Sequence, residues 1–263
     1  MKVGLCVLRI TGDRWRNRDR IIRMIEAMGK NVDLILFPEA ALTGLANNDD
    51  PVHDLPLGEP IPGEFTYTLG CLARRYGVYI GIGLLEREED HLFDTAILID
   101  PAGEIILRYR RISPGWHGDN ADPVVYRSGD GVSKVTTGFG SFAFLICGDL
   151  FTDELCDSVS NLRPDWLLFP FARSFEDGKI DKKRWHREEK WAYVERVQGI
   201  GVPTFMVNSL DDDGTFGGAM VVAASGRVVT ELDIGEEGVL YFGGKDGVPN
   251  QPNQANPYSG GYH

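Results

Sequence analysis

A cysteine, a glutamate and an arginine each follow a predicted strand, and together they could perform nucleophilic catalysis. Cys147 ends the apolar run 141–146 and precedes a glycine, a place where α/β enzymes often carry a nucleophile. Glu39 follows an apolar strand and a proline, where a rigid and partly desolvated acid has a raised pKa and suits a general base. Arg111 closes a predicted hairpin, and a cation near a thiol lowers the thiol pKa and stabilises an oxyanion.

Each of these residues also has a purely structural explanation, and a second chemistry is open. Free cysteine is often buried, a single glutamate is usually solvated, and Arg110-Arg111 could balance an acidic surface. A Cys–His pair of the thiol-protease kind could use His117, from a Gly- and Pro-rich loop, or His186, from a charged helix. The five histidines are too scattered for a metal site, and Gly81-x-Gly83 makes a poor phosphate loop.

The composition is that of an ordinary globular protein with an acidic surface. The chain has 263 residues, 43% hydrophobic and 25% charged, and 27 Lys and Arg against 39 Asp and Glu give a net charge of −12. This charge argues against nucleic acid or an anionic membrane as a partner. The four cysteines form no Cys-x-x-Cys pair, the first residues predict a strand, and no apolar run reaches membrane-spanning length. We therefore expect a cytoplasmic protein with reduced thiols.

Predicted strands alternate with helices along the chain, which indicates an α/β domain with mixed sheets. The strands are expected at 3–10, 32–37, 78–84, 95–99, 104–109, 132–136, 141–147, 165–170, 202–207, 219–223 and 228–231, and the helices at 14–28, 64–76, 153–162 and 182–199. The runs 33–38 and 165–170 resemble each other, which suggests two related β-α halves. Residues 243–263 are rich in Gly, Pro, Asn and Gln, so this tail is predicted to be disordered or to lie along a partner subunit.

Taken together, these segments resemble the motifs of the nitrilase superfamily of carbon–nitrogen hydrolases. The similarity covers about residues 1–235, and three ordered motifs are far more specific than any one of them. The matching segments are Leu36-Phe37-Pro38-Glu39-Ala40-Ala41-Leu42-Thr43-Gly44, Gly103-Glu104-Ile105 through Tyr109-Arg110-Arg111, Ile146-Cys147-Gly148-Asp149 through Glu154, and Val207-Asn208 with Phe216-Gly217-Gly218-Ala219.

The resemblance implies a fold, an assembly and a set of roles. The fold would be a four-layer α-β-β-α sandwich of two mixed sheets over residues 1–242, assembled as a homodimer or a larger homo-oligomer. Glu39 would be the base, Cys147 the nucleophile, and Arg111 with the backbone N–H of Gly148 the oxyanion donors. The substrate would be a small linear amide, because amidase-like members share the Cys-x-Asp pattern. No metal or organic cofactor is implied.

The sequence departs from the family pattern at four positions. Arg111 stands where the family has lysine, and arginine keeps the charge but cannot lose a proton at working pH. Asp119 lies near the position of a second glutamate in some amidases and is a candidate substrate contact. Gly199 and Ala219 replace a common Glu and Ser. These changes mark a divergent member.

Two further expectations concern the substrate and the level of activity. Arg173 follows the strand that ends near Phe171, so it could bind a substrate carboxylate or be an ordinary surface cation. Arg111 could also pair statically with Glu39, which would depress the pKa of the glutamate. The chain is therefore predicted to be a C–N hydrolase, with a catalytically silent protein that binds a ligand or a partner as the alternative.

Overall fold

The structure is a computed structural model that describes residues 1–243. Twelve strands in this range form two six-stranded sheets. The first sheet contains, in spatial order, β12 (Gly238–Phe242), β1 (Val3–Val7), β2 (Leu34–Leu36), β3 (Tyr79–Glu88), β4 (His91–Ile99) and β5 (Ile105–Arg110). The second contains β11 (Val228–Leu232), β10 (Ala219–Val222), β9 (Thr204–Asn208), β8 (Trp166–Phe171), β7 (Gly140–Phe144) and β6 (Lys134–Thr137).

Both sheets have three parallel strands at the centre and antiparallel strands outside. In the first sheet β2 pairs in parallel with β1 and β3, and in the second β8 pairs in parallel with β7 and β9. The two similar runs of the sequence therefore form equivalent central strands. Because parallel strands end at the same edge of a sheet, the residues that follow β2, β7, β8 and β9 can meet at one site.

Helices cover the outer face of each sheet. The helices are α1 (Arg14–Met28), α2 (Pro51–Asp54), α3 (Glu64–Tyr76), α4 (Asp153–Leu162), α5 (Lys182–Arg184) and α6 (Lys190–Ile200). Apolar side chains of α1 and α3 pack on the first sheet, whereas those of α4 and α6 join the core that lies against the second sheet. Side chains on the facing sides of the two sheets belong to the same core as those of α4 and α6. The four-layer α-β-β-α sandwich is thus confirmed.

The helix boundaries follow from local sequence. Asp13 caps α1 by accepting hydrogen bonds from the backbone N–H groups of Trp15 and Arg16, which have no partner within the helix. The apolar positions Ile21 and Ile25 recur at helical spacing and are fully buried. Helix α3 ends where Gly77 adopts a left-handed conformation, which glycine adopts without steric cost. The predicted spans 14–28, 64–76 and 153–162 are confirmed.

Several predicted boundaries are wrong. The strand predicted at 141–147 ends at Phe144, because the chain leaves the sheet before Cys147. The charged helix is interrupted by a π-helical turn at Trp185–Glu189. Strand β12 was not predicted, although it closes the first sheet by pairing with β1. The predicted tail, apart from Gly243, lies outside the described residues.

Candidate active site

Cys147 opens a short turn between β7 and α4. It is the first residue of a 3₁₀ helix at Cys147–Phe151, and its φ of 46° lies in the left-handed region that a residue with a side chain rarely adopts. The Sγ atom lies 4.0 Å from the carbonyl oxygen of Ala172, which follows β8. The strained conformation presents the half-buried thiol to the space at the sheet edge.

A buried carboxyl, that of Asp149, holds this turn in place. It accepts hydrogen bonds from the Tyr109 hydroxyl at 2.7 Å and from the backbone N–H groups of Ile112, Ser113 and Ile146 at 3.2, 2.7 and 3.0 Å. Three of these donors belong to the end of β5 and the residues after it. Asp149 therefore ties the turn that carries Cys147 to the segment that carries Arg111.

Glu39 is fully buried, three residues beyond β2. Ser209, just after β9, donates a hydrogen bond from its hydroxyl to the Glu39 carbonyl oxygen at 3.1 Å. Strand β3 passes so close that a Cβ atom on Gly83 would lie 2.5 Å from the Glu39 Cα atom. Both neighbours fix the backbone of Glu39, so only its side chain can move appreciably.

Arg111 lies at the centre of the buried polar groups, with 4% of its side chain exposed. Its Nη1 donates to Glu39 Oε1 at 2.9 Å and to Asp94 Oδ2 at 3.4 Å. Nε donates to the Ser113 hydroxyl at 3.0 Å, and Nη2 donates to the Pro114 carbonyl oxygen at 2.8 Å. The guanidinium thus joins two buried carboxyls and has one further Nη2 hydrogen.

The small residue after Cys147 makes room for this guanidinium. A Cβ atom on Gly148 would lie 2.7 Å from Arg111 Nη2 and 2.9 Å from the Ser113 hydroxyl oxygen. Both distances are shorter than real Cβ atoms show. Gly148 therefore allows Arg111 to lie directly beside the backbone of the cysteine turn.

Burial controls the protonation of Glu39. Desolvation, followed by the influence of Cys147, raises the pKa of Glu39 from its ordinary value of 4.5 to about 8, against the opposing effect of Arg111. Burial likewise raises the pKa of Asp94 well above its ordinary value, and the neighbouring Glu39 raises it further. The pKa of Glu39 therefore lies close to neutral pH, as a general base requires.

A cavity of about 780 Å³ opens in front of these groups. Arg111, Cys147 and Gly148 form part of its wall, whereas Glu39 and Asp94 lie behind the wall. Acidic side chains contribute to the rest of the wall at Glu189 and at 211–213, beside apolar side chains such as those of Ile10 and Phe151. The thiol can therefore meet a small molecule, and the Glu39 carboxyl lies directly behind the wall that Cys147 and Arg111 form.

The sequence profile of carbon–nitrogen hydrolases matches residues 2–243. The chain belongs to the carbon–nitrogen hydrolase family. An (R)-stereoselective amidase from Pseudomonas sp. is 26% identical over 221 residues, which cover 84% of this chain and 76% of the amidase. A carbon–nitrogen hydrolase from Helicobacter pylori has a TM-score of 0.78 at 20% identity, with 92% of this chain and 87% of that chain covered. An amidase from Nesterenkonia sp. gives 0.73 at 19%, with 96% and 93% covered.

This carbon–nitrogen hydrolase brings four of its six sequence-predicted site residues together. Glu39, Arg111, Cys147 and Gly148 meet at the inner end of the cavity. Arg173 also lines the cavity, and its guanidinium pairs at 3.3 Å with Glu189, a carboxylate that Arg184 also contacts at 3.8 Å.

The prediction that Asp119 contacts the substrate is not supported by its position. Asp119 is exposed and does not line the cavity. The backbone N–H of the preceding Gly118 donates to the Asp49 carboxylate at 3.0 Å.

The Cys–His alternative of the sequence is also not supported. His117 Nδ1 contacts the Gly118 carbonyl oxygen at 2.9 Å, and His186 contacts Asp233 and Lys190. Neither histidine lines the cavity.

Within residues 1–243, no three His, Cys, Asp or Glu residues are placed to hold a metal ion, and no helix is long and apolar enough to cross a membrane.

Sequence reasoning missed Asp94, which the hydrolase places against Glu39 and Arg111. The available signal was an acid inside the apolar run of β4, because a buried acid needs a partner. The predicted strand 95–99 begins one residue after Asp94, so the prediction places this acid in a loop. Asp149 was read only as part of the cysteine motif, and its four hydrogen bonds follow from tertiary contacts.

Proposed function

We propose that the protein hydrolyses the non-peptide C–N bond of a small linear amide through a thioester on Cys147. Family membership and the amidase name of a relative support this reaction class. A mutant of the Nesterenkonia amidase shows the result of Michael addition of acrylamide at its active-site cysteine. The cavity wall of this chain likewise presents a cysteine to a small molecule.

The observation that carries the proposal is the unused hydrogen of Arg111. A guanidinium has five N–H donors, and four of them point to Ser113, Glu39, Asp94 and Pro114. The fifth belongs to Nη2, which lies beside Gly148. An oxyanion formed at Cys147 would accept a hydrogen bond from this donor and from the Gly148 backbone N–H, each worth roughly 3–4 kcal/mol in a comparable hole.

The reaction then follows in two proton-balanced stages. Glu39 takes the thiol proton, and the Cys147 thiolate attacks the amide carbonyl to form a tetrahedral oxyanion. The C–N bond breaks as protonated Glu39 gives its proton to the leaving amine, which leaves a thioester. Water attacks the thioester while Glu39 takes its proton, and the acid leaves as that proton returns to the thiol. Arg111 stays protonated throughout, so it acts by charge and hydrogen bonding.

The alternative is a silent binding protein in which Arg111 holds Glu39 as a fixed anion. The 2.9 Å contact between them favours this possibility. A fixed anion would have a depressed pKa, but burial and Cys147 raise the pKa of Glu39 to about 8 despite Arg111. The raised pKa of Glu39 therefore favours the hydrolase over the silent binding protein.

The first prediction concerns ammonia release from a panel of small primary amides. We expect turnover by the wild-type protein and a loss of at least about a thousandfold in Cys147→Ala, because the nucleophile is gone. Cys156→Ala is the matched control, since this half-buried cysteine does not line the cavity and should leave turnover intact. Equal release by wild type and Cys147→Ala would exclude the proposed reaction.

The silent alternative is tested by Arg111→Lys in the same assay. Lysine has three donors and a shorter reach, so it loses the contacts to Ser113 and Pro114, and we expect a fall of about tenfold or more. A large gain would instead favour the silent protein.

The homo-oligomer and the cytoplasmic location stay predictions of the sequence.

A further inference from the structure

Two buried carboxyls share one cation behind Cys147. Glu39 and Asp94 are both fully buried, and both accept from the same Arg111 Nη1, at 2.9 and 3.4 Å. If both were ionised, two negative charges would face one positive charge away from water. Isolated buried charge is strongly disfavoured, so a proton is expected to enter this group.

The hydrogen-bond pattern shows where that proton fits. Glu39 Oε2 and Asp94 Oδ1 are buried acceptors with no donor among residues 1–243. The two side chains are nevertheless within hydrogen-bond reach of each other. Two carboxylates cannot bond to each other, but a single proton between them turns one oxygen into a donor. One proton therefore satisfies the pair.

The surroundings favour the proton on Asp94. Glu39 faces Arg111 and Cys147, whereas Asp94 lies farther from the guanidinium and also faces the charge of Asp149. The Tyr109 hydroxyl donates its hydrogen bond to Asp149 rather than to Asp94. The closer cation stabilises an anion at Glu39, and the nearby acids disfavour one at Asp94.

We propose that Asp94 is a positioning residue that keeps its proton when Glu39 ionises and donates it in a hydrogen bond to the Glu39 carboxylate. This role rests on the proposed function of Glu39 as the base. The Glu39 carboxylate then accepts from Asp94 and Arg111 at once, which fixes its orientation toward Cys147. The Asp94 proton stays in place during the reaction, and only the proton that comes from Cys147 or water moves on and off Glu39.

The test measures the pH dependence of Cys147 alkylation by iodoacetamide in the full-length protein. The midpoint of this pH profile reports the ionisation of Glu39, which must lose its proton before it can take the thiol proton. Asp94→Asn keeps an N–H donor and adds no charge, so the midpoint should move by less than about 0.3 units while the maximal rate falls several-fold. Asp94→Ala removes the donor, so the midpoint should rise by about one unit. Asp165→Asn, an exposed aspartate remote from the cavity, is the control and should leave both values unchanged.

If Asp94 were ionised, the midpoint of the alkylation profile would shift in the opposite direction. Removing a negative charge from beside Glu39 would lower the midpoint by about a unit in both Asp94 variants, and that result would overturn the inference. The infrared spectrum of wild type minus that of Asp94→Asn, recorded above about pH 9 where Glu39 has ionised, should show the band of a protonated carboxyl, and its absence would overturn the inference too. A third result is a wild-type Cys147 that reacts no faster than the exposed Cys71 while the band is present. That result would contradict the proposed function but would still support a protonated Asp94 that donates to Glu39.

Discussion

At the residue scale, the cavity wall depends on a glycine that leaves space for an arginine. A Cβ atom at Gly148 would lie 2.7 Å from Arg111 Nη2, the end of a flexible side chain. In Gly148→Ala we expect the guanidinium to move rather than the backbone. The protein should lose about 1–3 kcal/mol of unfolding free energy, because the guanidinium is held by hydrogen bonds to buried carboxyls, and kcat/KM should fall at least about tenfold because a proposed oxyanion donor is displaced.

The matched control is the same substitution at a glycine with free space around it. A Cβ atom at Gly199 in α6 would contact nothing within 4 Å, so Gly199→Ala should keep kcat/KM and stabilise the helix by up to about 1 kcal/mol. Steady-state kinetics and urea denaturation of both variants give the comparison. Full activity in Gly148→Ala would show that Arg111 does not need its observed position.

At the element scale, Asp149 connects two segments that are 36 residues apart in sequence. In Asp149→Ala three buried donors and one half-buried donor lose their acceptor, and we expect the free energy of unfolding to fall by at least about 3 kcal/mol. Tyr109→Phe removes one of these hydrogen bonds and should cost about 1 kcal/mol. Urea denaturation measures both values. A loss below about 0.5 kcal/mol in Asp149→Ala would mean that the two segments are held by packing alone.

The elements with a strong local pattern were predictable, and those defined by distant contacts were not. Helix α1 has a cap, a regular apolar face and a terminal glycine, so its bounds follow from the sequence. Strand β12 has no buried face comparable to that of β1 and exists because β1 offers it a free edge. Cys147 was expected on a strand because no local signal reveals that Asp149 binds the Ile146 N–H and turns the chain.

The same distinction applies to the site. Glu39, Arg111, Cys147 and Gly148 lie in sequence motifs, so they could be found without the structure. Asp94 gives only the signal of an acid within an apolar run, and its partners become apparent only when β4 and β5 pair and place it beside Arg111. The pairing of Arg173 with Glu189 likewise depends on the π-helical turn.

At the scale of the whole molecule, the two sheets bury an acid whose protonation is coupled to folding. Burial raises the pKa of Glu39 to about 8 in the folded protein, against its ordinary value of 4.5 in an unfolded chain. Between these values the folded state holds a proton that the unfolded state has lost. The stability linked to Glu39 is therefore fully present below about pH 4.5 and is lost as the pH rises toward about 8.

Glu39→Gln makes this linkage measurable, because glutamine has a similar shape and does not titrate. Relative to wild type, the variant should gain on the order of 3 kcal/mol of unfolding free energy between pH 5 and pH 8, while the proposed amide hydrolysis is abolished. Urea denaturation of both proteins at the two pH values gives the difference. A relative loss over this range would mean that Arg111 depresses the pKa of Glu39 and holds it as a fixed anion, as in the silent alternative. The stability profile thus separates the two functions without knowledge of the substrate.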